Sequence, residues 1–400
     1  MENKDFVEKE TEQVESTNEA PLEETVSQIE EPVEAVKEKR RFLPQVHLTK
    51  RDGVSLKEAI LVRVIAILAA LIVCAVLTII LTGDNPIEVY ATICKGAFGP
   101  GRGFVTIHAI AILLCVSLAV TPAFRMHFWN IGAEGQTLIG GLATAYVMYR
   151  FHDAVSTPVL VVMMLAAALI AGGVWGLIPA VFKAQWNTNE TLFTLMMNYV
   201  AIQLIEFFLK VADKSGSNVV DSRLLGEGVP NLFGVQYLLN IVVVAFLTVI
   251  LYIYLRYSKH GYEISVVGES ENTARYIGIN VKKVIIRTMI LSGVICGLAG
   301  FMIVGCASHT ISSTTAGGRG FTAIMVSWLA KFNPLMMVLT TFLLIFMARG
   351  ANEISTQFGL NNSFSDIITG IILFFIIGCE FFIRYRVHFD RPVIQEKEGN

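Results

Sequence analysis

Ten apolar stretches recur along this chain, eight of them about as long as a lipid bilayer is thick, and that repetition limits the fold more than any other property. A helix that crosses the hydrocarbon core needs about 20 mostly apolar residues. At that length the sequence gives runs at 59–82, 104–123, 131–149, 157–182, 191–210, 238–256, 284–305, 319–331, 333–349 and 365–384. The eighth and ninth are short and separated only by Lys331, Phe332, Asn333 and Pro334, so they read as a tight helical hairpin that does not cross completely. The expected fold class is all-α, a polytopic membrane protein of about ten transmembrane helices.

Composition agrees. Charged residues are 16% of the chain, against about 25% in soluble domains. The charge is also unevenly placed, since residues 1–41 hold 13 acidic and 6 basic groups. With so little apolar surface to offset the entropy of ordering, residues 1–57 are expected to form a largely disordered acidic tail. The transmembrane domain is expected at 58–384, with a loop at 257–283 and a second tail at 385–400. The first apolar run lies too deep in the chain for a secretory signal peptide. The six cysteines show no C-x-x-C spacing, so no metal or redox role is expected of them. Lys and Arg concentrate on the side of the membrane that faces the cytoplasm. Placing both termini there puts 19 of the basic residues from Arg40 onward inside and 8 outside.

A chain built almost entirely of membrane helices has the means to move a solute across the bilayer, and several residues do not fit a passive bundle. Trp129, Asn130, Gly132, Glu134, Gly135 and Gln136 enter the third run. An ionised Glu134 facing lipid at depth would cost on the order of 2.5–3.5 kcal/mol. Either this segment is a broken helix lining a pathway, or it is a helix start at the interface with Glu134 near the positive dipole end. Asn187, Thr188 and Asn189 supply an N-cap for the fifth run, with Glu190 in its first turn. Asn198 lies deeper and must bond a neighbour or face a pore; Gln203 and Thr137 are weaker polar candidates. The polar, glycine-rich segment from His309 to Phe321 ends near Arg319, a candidate for the extracytoplasmic mouth of a pathway, and is either re-entrant or an exposed loop. Gly172 and Gly176, like Gly293, Gly297 and Gly300, carry the small-residue spacing of helix-packing seams.

The loop at 257–283 contains a helix start and stop in order. Ser270 can cap, Glu271 sits in the first turn, Arg275 in the last, and Gly278 follows. A helix so short usually needs a surface to pack on: a partner protein, or the lipid headgroups.

The runs Asn-Ile-Gly-Ala-Glu-Gly-Gln at 130–136, Leu-Met-Met-Asn-Tyr at 195–199 and Ala-Arg-Tyr-Ile-Gly-Ile at 274–279 resemble permease subunits of bacterial ABC importers. Among these, the chain is similar to the branched-chain amino acid and simple-sugar permease superfamily, nearest its nucleoside (guanosine-type) uptake branch, over roughly residues 55–385. The resemblance implies a multi-pass protein of the bacterial cell membrane with both termini cytoplasmic. It further implies that a helix at 264–280 couples to an ABC ATPase subunit through Gly268, Glu269, Ser270, Asn272, Ala274, Arg275, Tyr276 and Gly278. Other implied partners are a second permease subunit, an extracytoplasmic substrate-binding lipoprotein, and a nucleoside or a simple sugar. Where the family usually has Asn-Pro after the coupling-loop glutamate, this chain has Ser270-Glu271, which leaves partner specificity open. The chain has no G-x-x-x-x-G-K-[ST] phosphate loop, so ATP hydrolysis belongs to another polypeptide. No cofactor, metal or nucleic acid is expected. A secondary transporter is the weaker alternative, since Glu134, Glu206 and Glu380 are its only acidic candidates. A membrane enzyme is weaker still, because His108 and His309 show no obvious partners in the sequence.

Overall fold

The computed structural model describes residues 45–390 apart from 52–55, 84, 214–217, 222–224, 227, 231–234, 236 and 360–361. Most of the expected acidic tail, 1–44, and the end of the second tail, 391–400, lie outside the described residues. The chain divides into two units. The described part of the smaller one includes an antiparallel ladder of β1 (Gln45–Lys50) and β2 (Tyr385–Asp390), in register from Gln45↔Asp390 to Lys50↔Tyr385. Neither strand was expected. Each finds its backbone partners at the opposite end of the chain, where local composition gives no sign of them.

The larger unit, residues 53–383, is helical. Its helices are α1 (Leu56–Thr82), α2 (Pro86–Phe98), α3 (Gly103–Arg125), α4 (Ala133–Phe151), α5 (Thr157–Trp186) and α6 (Glu190–Ala212). There follow α7 (Leu238–Tyr257), α8 (Lys259–Glu269), α9 (Glu271–Tyr276) and α10 (Val281–Ile303), the last extended by a π-helical turn, Val304–Ser308. The unit closes with α11 (Arg319–Leu329), α12 (Pro334–Gln357) and α13 (Asn362–Arg384).

The ten expected spans correspond to α1, α3 to α7 and α10 to α13. Among the described residues, seven helices are long and apolar enough to cross a membrane, and α13 holds a shorter apolar stretch, Ile367–Ile383. Helix α11 has 11 residues and rises only ~16 Å, about half a hydrocarbon core. Its neighbour α12 is not short as expected. It continues through polar residues because they find partners: Arg102 pairs with Glu353, and Thr92 donates to Gln357 at 2.9 Å. Helix α2 was not expected, and α8 begins ahead of the helix expected at 264–280 and covers its first part. Both start at side-chain caps, Asn85 accepting from the Ile87 N–H and Ser258 from the Gly261 N–H.

The centre of the unit is the contact of α10 with α5 and α4. A methyl group built on Gly172 or Gly293 would collide with the carbonyl oxygen of the other. One on Gly176 would stand 2.6 Å from the Met289 carbonyl oxygen, and one on Gly140 2.5 Å from the Gly297 Cα. The two glycine rows read from the sequence therefore face one another, and the backbones touch. In lipid, where apolar side chains gain nothing by leaving one solvent for another, such close contact is what holds helices together. A second core joins α1, α2, α12 and α13 through Ala70, Ile93, Ala351 and Ile368. Near it the Glu380 carboxylate on α13 takes Arg63 of α1 at 3.4 Å and Lys331, in the turn between α11 and α12, at 2.7 Å.

Gly293→Val is expected to lower stability by about 1–3 kcal/mol, read as an earlier unfolding midpoint of the purified protein in detergent. Val249→Leu, on the exposed face of α7, leaves that midpoint unchanged.

Candidate translocation and coupling sites

Helix α3 ends at Arg125, whose Nη1 donates to the Leu255 carbonyl at the end of α7 (3.4 Å). The next helix, α4, does not begin at that level. Asn130 is fully buried and donates from Nδ2 to the Ser292 hydroxyl at 3.1 Å. Ser292 stands eleven residues into α10, roughly 17 Å along its axis. The segment Met126–Gly132 thus climbs without helical structure to the middle of the bundle, where α4 starts. Irregular backbone at such depth is tolerated only against protein or a water-filled cavity, and here its polar groups are met by side chains. Asn130 Oδ1 accepts the Gly132 N–H at 3.0 Å, and Thr194 on α6 accepts the Ile131 N–H at 3.1 Å. Asn198 accepts the Gly135 N–H at 2.9 Å and donates to the Ile131 carbonyl at 3.0 Å. Gln136 and Asn130 face each other at 3.4 Å. A side chain at Gly135 would stand 2.8 Å from Asn198 Oδ1, closer than a Cβ can approach, and one at Gly132 would make a tight contact of 3.1 Å with the Thr194 Cβ.

Glu134 meets the other broken helix. Its two carboxylate oxygens accept the N–H groups of Gly318 at 2.7 Å and Gly320 at 2.6 Å. These amides open α11 and have no partner within it. A buried carboxylate thus caps a helix 184 residues away, neutralising the positive end of its dipole. Gly320 lies so close that a side chain there would strike the Glu134 backbone. The segment before α11 is therefore drawn against α4, with Arg319 between the two bonded amides. Arg319 folds back on its own turn, donating to the Thr315 and Ala316 carbonyls at 3.2 and 3.0 Å.

Asn130, Gln136 and Asn198 make their bonds inside the chain, and Thr137 is buried; Gln203 is exposed. The accessible edge of the site is aromatic. Trp129 (44% exposed) lies 5.5 Å from Trp328 (48% exposed) on α11, with Phe124 and Phe332 packed behind. Sequence reasoning missed Trp328, Thr194, Ser292 and the two α11 amides. None carries a local mark, apart from the four-residue spacing of Trp328 and Phe332. His108, which showed no obvious partner, stacks on Tyr237 at 4.3 Å, with Asn240 Nδ2 3.0 Å from its Nε2.

The loop at 257–283 is two helices, not one, broken at Ser270. The Ser270 N–H closes α8 on the Val266 carbonyl, and its hydroxyl accepts the Thr273 N–H at 3.2 Å to start α9. Glu271 and Arg275 pair at 3.0 Å, and Gly278 takes the left-handed conformation that ends the unit (φ +86°). Gly268 presses on the Arg125 carbonyl and Ala274 is buried, so these two face the bundle. Glu269, Asn272, Arg275 and Tyr276 face away, Tyr276 with 93% of its surface exposed. Helix α8 is fastened to α10 by the pair of Glu263 and Arg287 at 3.0 Å.

The family described as the permease component of branched-chain amino acid transport systems matches residues 104–377. The chain is 29% identical over 352 residues to the guanosine ABC transporter permease protein NupP of Bacillus subtilis, covering 85% of this chain and 98% of the relative. It is 29% identical over 349 residues to a glucose ABC transporter permease protein of Haloferax volcanii, covering 82% and 90%. It is 23% identical over 331 residues to the nucleoside ABC transporter permease protein NupB of Lactococcus lactis, covering 79% and 90%.

Glu134→Gln turns one acceptor into a donor facing an amide N–H. The loss expected is about 1.5–3 kcal/mol, the range for a hydrogen bond to a charged group, measured as a lower unfolding midpoint in detergent. A variant as stable as the parent would show that the carboxylate does not hold α11.

Proposed function

Since the chain belongs to the family of permease components of branched-chain amino acid transport systems, we propose that it forms the solute pathway of an ATP-driven importer whose cargo is a nucleoside. It is a multi-pass membrane protein and a transport component, not an enzyme. In this reading both termini face the cytoplasm, ATPase subunits dock on the α8–α9 loop, and a second permease subunit completes the pathway. An extracytoplasmic substrate-binding lipoprotein delivers the solute.

The observation that carries the reading is the α9 face. Six helical residues are too few to be stable alone, yet they are capped, seated through Ala274 and joined to a gapless span, with Tyr276 and Arg275 turned outward. A partner that pushes here moves the end of α3 through Gly268, which presses on the Arg125 carbonyl, and α10 through the chain itself. The coupling set is then Gly268, Glu269, Ser270, Asn272, Ala274, Arg275, Tyr276 and Gly278. The pathway runs along the Trp129 and Arg319 edge of α11, while Asn130, Gly132, Glu134, Gly135, Gln136 and Asn198 hold that edge in place.

The charge balance favours a neutral cargo. The half-helix dipole at α11 is met by Glu134 from within the chain, so it does not call for an anionic group on the solute. Two named relatives, from Bacillus and Lactococcus, carry nucleosides in their names. The Haloferax glucose permease, 29% identical, keeps a simple sugar as the second reading. Against a secondary transporter, Glu134 and Glu380 are both bound by fixed partners.

In cells carrying the whole system, labelled guanosine uptake is expected to saturate and to resist a hundredfold excess (roughly) of ribose; equal competition by ribose overturns the nucleoside assignment. Tyr276→Ala and Arg275→Glu are each expected to cut ATP-dependent uptake about tenfold or more while the protein still inserts, the loss following from an uncovered hot-spot contact. Parental uptake in both variants removes the coupling role from α9.

A further inference from the structure

The end of the bundle that carries α8 and α9 has a second feature, which coupling does not use. Between the last turn of α5 and the first turns of α10 lies an open groove of about 510 Å³. Ile286 and Ile290 line its apolar part, and Gln185, Lys282, Lys283 and Arg287 its polar part. The basic groups are not equivalent. Arg287 is compensated by Glu263 at 3.0 Å, and nearby Lys183 by Glu190 at 2.9 Å. Lys282 and Lys283 are exposed, and among the described residues neither has a carboxylate within ion-pairing distance.

Their level follows from the elements around them. Helix α10 is long and apolar enough to cross a membrane, so its first turn stands at a membrane–water boundary. Trp186, exposed beside Gln185 at the end of α5 and packed on Phe182 at 5.1 Å, marks the same level, since Trp rings gather there. The groove therefore joins an apolar cleft to two uncompensated ammonium groups at headgroup height. A small soluble anion would leave the isoleucines uncovered, and a neutral lipid would leave the ammonium charges unmatched.

We propose that this groove binds an anionic phospholipid, its phosphate against Lys282 and Lys283 and one acyl chain along Ile286 and Ile290. Lysines at this height attract anionic headgroups, and basic clefts between membrane helices concentrate them. The site sits where α9 passes into α10, with Asn280 capping α10 by accepting the Lys283 N–H at 3.1 Å, so a bound lipid braces the joint next to the coupling face.

The test titrates the purified full-length chain in neutral detergent with phosphatidylglycerol, phosphatidylcholine or inorganic phosphate and counts retained lipid by native mass spectrometry. Phosphatidylglycerol is expected to be retained over phosphatidylcholine and not displaced by phosphate. The double variant Lys282→Gln, Lys283→Gln is expected to lose about tenfold or more in apparent affinity for it. The charge-keeping pair Lys282→Arg, Lys283→Arg retains the lipid, which separates loss of charge from loss of fold. Equal retention of both lipids, or full retention by the glutamine variant, overturns the proposal. Displacement by phosphate alone assigns the lysines to a soluble anion and also overturns it. So does a glutamine variant that keeps its lipid but no longer holds ATPase subunits, because the lysines then belong to a protein interface.

Discussion

Backbone amides cannot be left bare inside a bilayer, where each unpaired group costs several kcal/mol, and two helices of this chain begin there. The solution centres on Glu134. It lies in the first turn of α4, where a carboxylate suits the dipole, and both its oxygens close the first turn of α11. One side chain thereby lets two interrupted helices start at the same depth. Asn130, Thr194 and Asn198 complete the set by meeting the remaining amides and carbonyls of the climbing segment. Without them the chain would have to be helical from face to face, with no interruption at this depth.

Helix α10 ties that interruption to the α8–α9 loop. It begins three residues after Gly278, meets Asn130 through Ser292 at its middle, and lies backbone to backbone with α5 and α4 through Gly293, Gly297 and Gly300. Glycine contacts leave no compressible side-chain layer between the helices. In the proposed coupling, this packed, continuous backbone is the route from α9 to the climbing segment before α4.

The sequence was most legible where structure is local. Ser270, Glu271, Arg275 and Gly278 mark a helix through their own caps and charges, and α9 occupies the expected place. Asn189 likewise caps α6, accepting the Leu192 N–H at 3.1 Å. The glycine rows were legible as seams, because small residues four apart have few other uses in lipid. The depth at which α4 starts was not legible, because it is set by Ser292, and nothing around Asn130 points to that residue. The same holds for α11, whose cap comes from another helix, and for β1 and β2, which pair from opposite ends of the chain. Only the start of α8 was hidden, for a different reason: it abuts α7 with only Ser258 between them, so its first residues read as the end of a span and a loop.

Glu380 raises a matter of timing. Its carboxylate is shared by Arg63, on the first membrane helix, and Lys331, ahead of α12. During synthesis Arg63 emerges from the ribosome 317 residues before its counter-charge. For almost the whole of translation the first helix therefore carries its guanidinium without this carboxylate. Only when the last helix arrives can that cation be handed over, so the nascent chain is latched shut by its final segment, and a message truncated before Glu380 leaves the latch open.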